Sequence, residues 1–254
     1  MRLADVQARM LLKADAYKFR MGYLWWFIEP LLWVSIFYLV FDIILDTHGQ
    51  DGSSFLVFLA TGKLAFIWFS KTVQRASLSI VGNAGLIAKV NVPKALVPMA
   101  VVQEGLYRQS TVYGLMLAIL LLFGYAPTLA WLWLVPLLLV YYLMIVACAL
   151  VGAYLVCLVR DFIQIIPLGM TFLLFVSGVF WDIHQIGDPV KVQLVLTLDP
   201  LAYMVDAHRQ ILIHHQAPDL GLLLGVAAGS CLLTAGMVWL MRRHSQMLAL
   251  RVLT

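Results

Sequence analysis

The sequence predicts an all-α integral membrane protein, and this prediction rests on its composition, its long apolar segments and its charge distribution. Of 254 residues, 63% are hydrophobic and only 12% are charged, whereas a typical soluble domain is about half apolar and about a quarter charged. The mean hydropathy is +0.94. A soluble core of this size would leave large apolar patches in water. We therefore predict a single membrane domain over residues 1–254, with no room for a separate soluble enzyme domain.

Residues 1–22 predict an amphipathic helix that lies in the membrane interface. Leu3, Val6 and Met10 recur at three- to four-residue spacing, while the basic residues fall largely on other faces. Apolar and charged residues alternate too evenly here for the segment to span a bilayer.

Six apolar segments follow, each close to the roughly 20 residues that a transmembrane helix needs. Together they form a predicted six-span bundle over residues 24–241, and residues 242–254 form a tail. The predicted spans are 24–45, 55–75, 99–123, 130–158, 162–181 and 219–241.

The distribution of Lys and Arg predicts the orientation of these spans. Thirteen of these residues lie before the first span, around the second connection, after the fourth span or in the tail, and two lie in the first, third and fifth connections. Basic residues concentrate on the cytoplasmic side of membrane proteins. We therefore expect both termini in the cytoplasm, and we interpret the net charge of +4 as a signal of orientation rather than of nucleic-acid binding.

Two connections are long enough to hold short helices. Between spans two and three, Asn83 can cap a helix that Pro93 ends, on the cytoplasmic side. The outer connection before the last span contains a second candidate over residues 198–212. There Asp199 is the expected N-cap and Pro200 suits the first helical position. This helix is too short and too polar to span, so we expect it to be interfacial or re-entrant.

The sequence contains no catalytic constellation that outweighs a chance match. His184 and Asp188 have the His-x-x-x-Asp spacing of some acyltransferases, which leaves a membrane-embedded transferase as an alternative. The adjacent His214 and His215 have no third metal ligand nearby, so we expect no metal site. The chain lacks a G-x-x-x-x-G-K-[ST] phosphate loop, so we expect no catalytic residue and no nucleotide hydrolysis in it.

Ionisable residues inside the predicted spans are costly and are expected to face protein or water. Glu104 and Arg108 are four residues apart on one helix and are expected to form a structural ion pair. Lys63 lies about 12 Å along its helix from the predicted outer edge at Phe55. A role for Lys63 in a translocation path and a role between helices both remain open.

Four motifs occur in chain order: the Gly22-x-x-Trp25 opening followed by Glu29-Pro30, the segment Asn83 to Pro93, Arg160-Asp161, and Asp199-Pro200-Leu201 with Arg209. Together they resemble the type-2 ABC exporter permeases that export capsular polysaccharide and O-antigen. Two positions depart from the family pattern: Asp199 stands where Asn is usual, and Ser177 to Phe180 lack the Ser-Pro step of many relatives.

The resemblance implies a role for each of four groups of residues. The expected contact with the ATPase comprises Asn83, Leu86, Ile87, Lys89 and Pro93. The interface helix and opening segment contribute Arg9, Lys13, Lys18, Arg20, Gly22 and Trp25. The translocation path is expected to include Trp33, Lys63, Phe172, Phe175 and Trp181, and the outer helix Asp199, Pro200 and Arg209.

The resemblance also implies the partners and the cargo. We expect a homodimer with two copies of a separate ABC ATPase, which binds ATP and Mg²⁺, while this chain binds no cofactor. The expected cargo is a lipid-linked polysaccharide that crosses a bacterial inner membrane, with membrane lipids and no nucleic acid as further partners. Export of teichoic acid, a drug or another small amphiphile by the same fold is the main alternative.

Overall fold

The computed structural model describes residues 2–18, 22–44, 55–85 and 93–253. Every element in these residues is helical, which confirms the predicted all-α class. We number the α-helices in chain order: α1 Arg2–Lys18, α2 Trp25–Tyr38, α3 Phe55–Gly82, α4 Leu96–Leu122, α5 Leu134–Leu158, α6 Phe162–Val176, α7 Pro189–Leu198, α8 Pro200–Leu212, α9 Leu220–Arg243 and α10 Ser245–Leu253. A 3₁₀ turn, Gly22–Leu24, leads into α2, and a π-helical turn, Leu39–Ile44, follows it; further 3₁₀ turns, Leu129–Trp133 and Ile183–Ile186, precede α5 and α7.

Four of the predicted spans correspond to helices that are long and apolar enough to cross a membrane. They are Phe55–Gly82, Leu96–Leu122, Leu129–Leu158 and Leu220–Arg243. The first and fifth predicted spans correspond to the shorter apolar helices α2 and α6. The predicted bounds are correct to a few residues except at two helix ends: α3 continues to Gly82 rather than stopping at residue 75, and α6 stops at Val176.

Helix α6 ends earlier than the sequence predicts. The fifth span was expected to reach residue 181, but the helix stops at Val176. Gly178 follows with φ +69°, a conformation that side chains with a Cβ rarely adopt, and the chain turns away from the helix axis there. Residues 177–181, which we call the outer turn, therefore lie beyond the helix rather than in it.

Helix α3 is the centre of the bundle and packs against α4, α5 and α8. Tyr141 of α5 illustrates this contact, because its buried hydroxyl donates a 3.0 Å hydrogen bond to the Ala65 carbonyl of α3. Its ring meets Trp68 edge-on, with 5.2 Å between ring centroids. Helix α9 packs mainly on α5 and leaves most of its surface exposed, as expected for a helix that faces lipid.

The outer connection holds two helices rather than one. The predicted helix is present as α8, and Asp199 caps it as expected, accepting a 2.9 Å hydrogen bond from the Leu201 amide. Most of α8 is buried against α3 and α5, so it enters the bundle instead of lying on its surface. Helix α7 precedes it and was not predicted, because its apolar residues do not follow the spacing of an amphipathic helix.

Candidate functional site

Lys63 lies inside a group of aromatic rings that we call the Lys63 cage. Its ammonium is 5.4 Å from the ring centroid of Trp33 on α2, 5.9 Å from that of Phe66 on α3, and 5.4 Å from that of Phe180 in the outer turn. Lys63 is only 7% exposed. Ring faces attract a cation, and this attraction offsets part of the cost of holding an ammonium at membrane depth.

The surface beside the cage carries two more of the predicted path residues. Phe175 is 61% exposed and its ring centroid is 5.5 Å from that of Phe180. The Trp181 indole N–H donates a 2.8 Å hydrogen bond to the Phe175 carbonyl. The structure thus brings Trp33, Lys63, Phe175 and Trp181 to one region.

Phe172 lines a cleft of about 720 Å³ between α6 and α9, together with Leu173 and Gly225. Among the described residues it makes no ring contact with the Lys63 cage or with Phe175.

Arg209 of α8 fixes the outer turn to α3. Its guanidinium donates hydrogen bonds of 2.6 Å to the Gly178 carbonyl and 2.8 Å to the Val179 carbonyl. Its Nε donates a 3.3 Å hydrogen bond to the Phe58 carbonyl, and the guanidinium lies 3.5 Å from the Phe58 ring centroid. Arg209 is almost fully buried. It belongs to the outer helix, as predicted, and its hydrogen bonds position the turn that carries Phe180 to Lys63.

Asp199 holds the other end of the same turn. One carboxylate oxygen caps α8, and the other accepts a 2.7 Å hydrogen bond from the Ser177 hydroxyl. Pro200 occupies the first turn of α8, as predicted. Helix α8 therefore fixes the outer turn through Ser177 at one end and through Arg209 at the other.

Four ionisable side chains form an inner charge network between α1, α3 and α4, and a separate ion pair joins α2 to α3. The predicted Glu104–Arg108 pair is present at 2.8 Å, and Arg75 of α3 contacts the same carboxylate at 2.8 Å. Glu104 is 0% exposed. Asp15 of α1 pairs with Arg108 and lies 3.5 Å from Arg75, while Glu29 of α2 pairs with Lys71 of α3.

Helix α1 packs along α4, and the inner charge network connects the two helices. A hydrogen bond from the Tyr107 hydroxyl to Asp5 also joins them and lowers the pKa of that carboxyl. Arg9 pairs with Asp5 at 3.2 Å on the exposed side of α1, and Lys13 is exposed. These contacts support the prediction of an interface helix with a charged outer face.

One comparison decides the family. The pattern of the ABC-2 type transporter family matches residues 8–213 of the chain. The chain belongs to the ABC-2 type transporter family.

Three relatives resemble this ABC-2 type transporter at modest identity. The O-antigen export system permease protein RfbA of Klebsiella pneumoniae is 26% identical over 195 residues, covering 76% of this chain and 73% of that protein. RfbA of Myxococcus xanthus is 28% identical over 217 residues, covering 84% of this chain and 81% of that protein. The polysialic acid transport protein KpsM of Escherichia coli is 28% identical over 199 residues, covering 76% and 74%.

The remaining predicted residues of the transporter's opening segment are only partly described. Gly22 has φ +51° and starts the 3₁₀ turn before α2. Trp25 begins α2 and is partly exposed. The side chain of Lys18 and all of Arg20 lie outside the described residues.

The predicted ATPase contact of the transporter lies mostly outside the described residues. Leu86, Ile87 and Lys89 are not described. Asn83 ends α3, because its side-chain amide donates a 2.7 Å hydrogen bond to the Ser79 carbonyl. Pro93 is exposed and precedes the turn that leads into α4.

The spacing that suggested acyl transfer does not bring its two residues together in the transporter. His184 Nε2 lies 3.1 Å from Asp206 of α8, while Asp188 caps α7 by accepting a 3.0 Å hydrogen bond from the Val190 amide. Asp182, His184 and Asp206 place their ligand atoms within 4.8 Å of one another, a grouping that spacing in the sequence does not reveal. Burial raises the pKa of Asp206, and the charges of His184 and Arg209 oppose that shift.

Several members of these sites carry no signal in the sequence. Phe66, Phe180 and Asp15 were not predicted to be site residues, and Arg75 entered only as one of the basic residues that set the orientation. Their partners are distant in sequence: Arg75 is 29 residues from Glu104, and Asp15 is 93 residues from Arg108. No local signal connects residues so far apart.

Proposed function

We propose that this chain is the membrane subunit of an ATP-driven exporter that moves a lipid-linked polysaccharide out of the cytoplasm across a bacterial inner membrane. The relatives named for O-antigen export and polysialic acid transport support the class of cargo. The observation that carries the proposal is the Lys63 cage, a cation held among aromatic rings beside exposed aromatic side chains.

This arrangement suits a long sugar chain better than a small apolar molecule. Sugar rings place their C–H faces on aromatic planes and keep their hydroxyls free for water. Several weak contacts in series let a polymer advance without stopping in one deep minimum. The positive charge of Lys63 adds attraction for an acidic sugar or a lipid phosphate.

The exposure of the path residues supports a homodimer. Trp33 is 41% exposed and Phe175 is 61% exposed. A single chain covers these side chains on one side and would form one wall of a path. A second copy, related by a two-fold axis, would present the same side chains from the opposite side. A polysaccharide path with two aromatic walls would then lie between the copies.

Energy is proposed to come from two copies of a separate ABC ATPase, since this sequence lacks a phosphate loop. We expect that ATPase to contact the segment from Asn83 to Pro93 on the cytoplasmic side. Leu86→Asp would place a charge in an apolar contact that must lose water. That variant should insert normally yet lose co-purification with the ATPase, whereas normal co-purification would remove this segment from the contact.

The proposal is tested by substitutions at Lys63. Lys63→Arg keeps a cation among the rings and should retain most export, whereas Lys63→Met keeps only the apolar stem. We expect Lys63→Met to reduce surface polysaccharide by about tenfold, because a hydrogen bond to a charged group contributes roughly 1.5–3 kcal/mol. Export is measured as surface polysaccharide in cells that express each variant at equal level. Equal export by the Met and Arg variants would contradict a charge-based role.

Aromatic replacements separate a polysaccharide from a small amphiphile. Leu at Trp33, Phe175 or Trp181 should slow polysaccharide export, because an apolar side chain remains while stacking is lost; export is compared at equal levels of folded protein. Trp239→Leu is the matched control, since Trp239 is an exposed tryptophan on α9, away from the cage. Wild-type surface polysaccharide in all three variants would favour teichoic acid, a drug or another amphiphile as cargo.

A further inference from the structure

A second polar site lies on the side of the bundle that the charge distribution predicts to be cytoplasmic. It is a cleft of about 910 Å³ where the start of α1, the start of α4 and the end of α9 meet. Its lining includes Lys94, Arg242, Gln103 and Tyr142. None of these four residues belongs to the Lys63 cage or to the inner charge network.

Lys94 is the unusual group in this cleft. It is only 5% exposed, and no hydrogen bond or ion pair joins its ammonium to any residue that the structure describes. Its ammonium is not one of the fully buried atoms, so the covered stem of Lys94 delivers an accessible positive charge to the cleft. A cation fixed in this way can form a charge-assisted hydrogen bond to an anion in the cleft.

The other charges of the cleft also favour an anion. Arg242 lies in the last turn of α9 and is exposed. The one carboxylate in the lining is Asp5, which already pairs with Arg9 at 3.2 Å. The first turn of α4 adds a positive dipole end, and no side chain caps that turn.

The depth and walls of the cleft distinguish a lipid from a soluble anion. Gln103 is seven residues beyond the start of α4, or about 10 Å by helical rise, and accepts a 2.9 Å hydrogen bond from the Tyr142 hydroxyl. Between this pair and the basic rim the lining is apolar, with Leu96, Met99 and Met241. The cleft thus has a basic opening at the interface and an apolar wall that runs into the leaflet.

We infer that this cleft binds an anionic glycerophospholipid of the inner leaflet, with the phosphate between Lys94 and Arg242 and the start of an acyl chain along Met99 and Met241. This lipid is a bound component of the membrane and is distinct from the exported cargo. The inference does not depend on the proposed function, since it concerns other residues.

The test measures lipid retained by the purified full-length chain in neutral detergent, using native mass spectrometry during titration with phosphatidylglycerol. Lys94→Met and Arg242→Gln should each weaken binding about fivefold, which corresponds to about 1 kcal/mol for a basic residue at an anionic surface. Lys94→Arg should bind like the wild type. Arg243→Gln is the matched control, because it removes the same charge from the adjacent residue, which contacts Trp239 and does not line the cleft.

Two further measurements distinguish an anionic lipid from a neutral lipid and from a soluble phosphate compound. Phosphatidylcholine should bind at least tenfold more weakly, and glycerol 1-phosphate should not compete at millimolar concentration. Equal weakening by Arg243→Gln, equal binding of phosphatidylcholine, or displacement by glycerol 1-phosphate would overturn the inference. If Lys94→Met does not fold, Met99→Trp keeps both cations and fills the apolar wall, and it should reduce phosphatidylglycerol binding; unchanged binding would also overturn the inference.

Discussion

Gly62 of α3 lies directly against the guanidinium of Arg209. A Cβ at position 62 would be 2.4 Å from Arg209 Nη2 and 3.1 Å from its Cζ. Arg209 cannot move aside cheaply, because three hydrogen bonds to backbone carbonyls fix it. The missing side chain at position 62 is therefore what lets α8 reach the outer turn next to Lys63.

Gly62→Ala should destabilise the protein by about 1–3 kcal/mol, as overpacking of a tight contact does. The control is Gly114→Ala, because a Cβ at that exposed position of α4 meets nothing within 4 Å. Alanine there should be neutral or stabilising, since glycine weakens helix interiors. Thermal unfolding in detergent measures both variants, and equal melting temperatures would refute the importance of the Gly62 contact.

Asp199→Ala should cost about 2 kcal/mol, because it removes the cap of α8 and the hydrogen bond from Ser177 together. Asp199→Asn should remain close to the wild type, since its amide oxygen can cap α8 while its N–H₂ donates to the Ser177 oxygen. Asp188→Ala is the comparison that loses only a cap, at α7. If Asp199→Asn lowered the free energy of unfolding as much as Asp199→Ala, the dual role of Asp199 would be contradicted.

Asp15→Asn should loosen α1 from the bundle. The Asp15 side chain is 24% exposed, and its partners Arg75 and Arg108 are 38% and 25% exposed, so we expect a loss of about 1 kcal/mol. Amide hydrogen exchange in α1 should then accelerate by up to about fivefold. Lys13→Gln removes an exposed charge of α1 and should leave that exchange unchanged; a similar acceleration in both variants would mean that the inner charge network does not hold α1.

Cysteine labelling tests the predicted orientation. Lys191 on α7 and Arg160 before α6 are both exposed, and the charge distribution places them on opposite sides of the membrane. In a background without Cys148, Cys157 and Cys231, an impermeant reagent outside intact cells should label Lys191→Cys and not Arg160→Cys. External labelling at residue 160 would invalidate the predicted topology.

Local patterns predicted much of this fold, and long-range contacts account for what was missed. Asp199 and Pro200 were identified in advance because a helix start depends on adjacent residues alone. The early end of α6 was not, because it depends on Gly178 meeting Arg209, 31 residues away. Apolar content locates a hydrophobic segment, but it does not reveal where the chain leaves the helix axis.

In the candidate site, too, contacts within one helix were predictable and contacts between distant segments were not. Glu104 and Arg108 were paired correctly because both lie on one helix at four-residue spacing. The Lys63 cage takes its rings from α2, α3 and the outer turn, and nothing in the sequence indicates that these elements meet. Lys94 was counted only as a cytoplasmic charge, since its burial depends on how three helix ends come together.

The shortness of α6 has a consequence for the surrounding lipid. Its 15 residues extend about 22 Å, whereas the hydrocarbon core is about 30 Å thick. The polar backbone that follows is tolerated there because buried Arg209 satisfies the carbonyls of Gly178 and Val179. A hydrophobic segment this short favours local thinning of the bilayer at this edge. A hydrophilic polymer that passes beside the outer turn would therefore have less hydrocarbon next to it than at the longer helices, which lowers the barrier at the last part of its crossing.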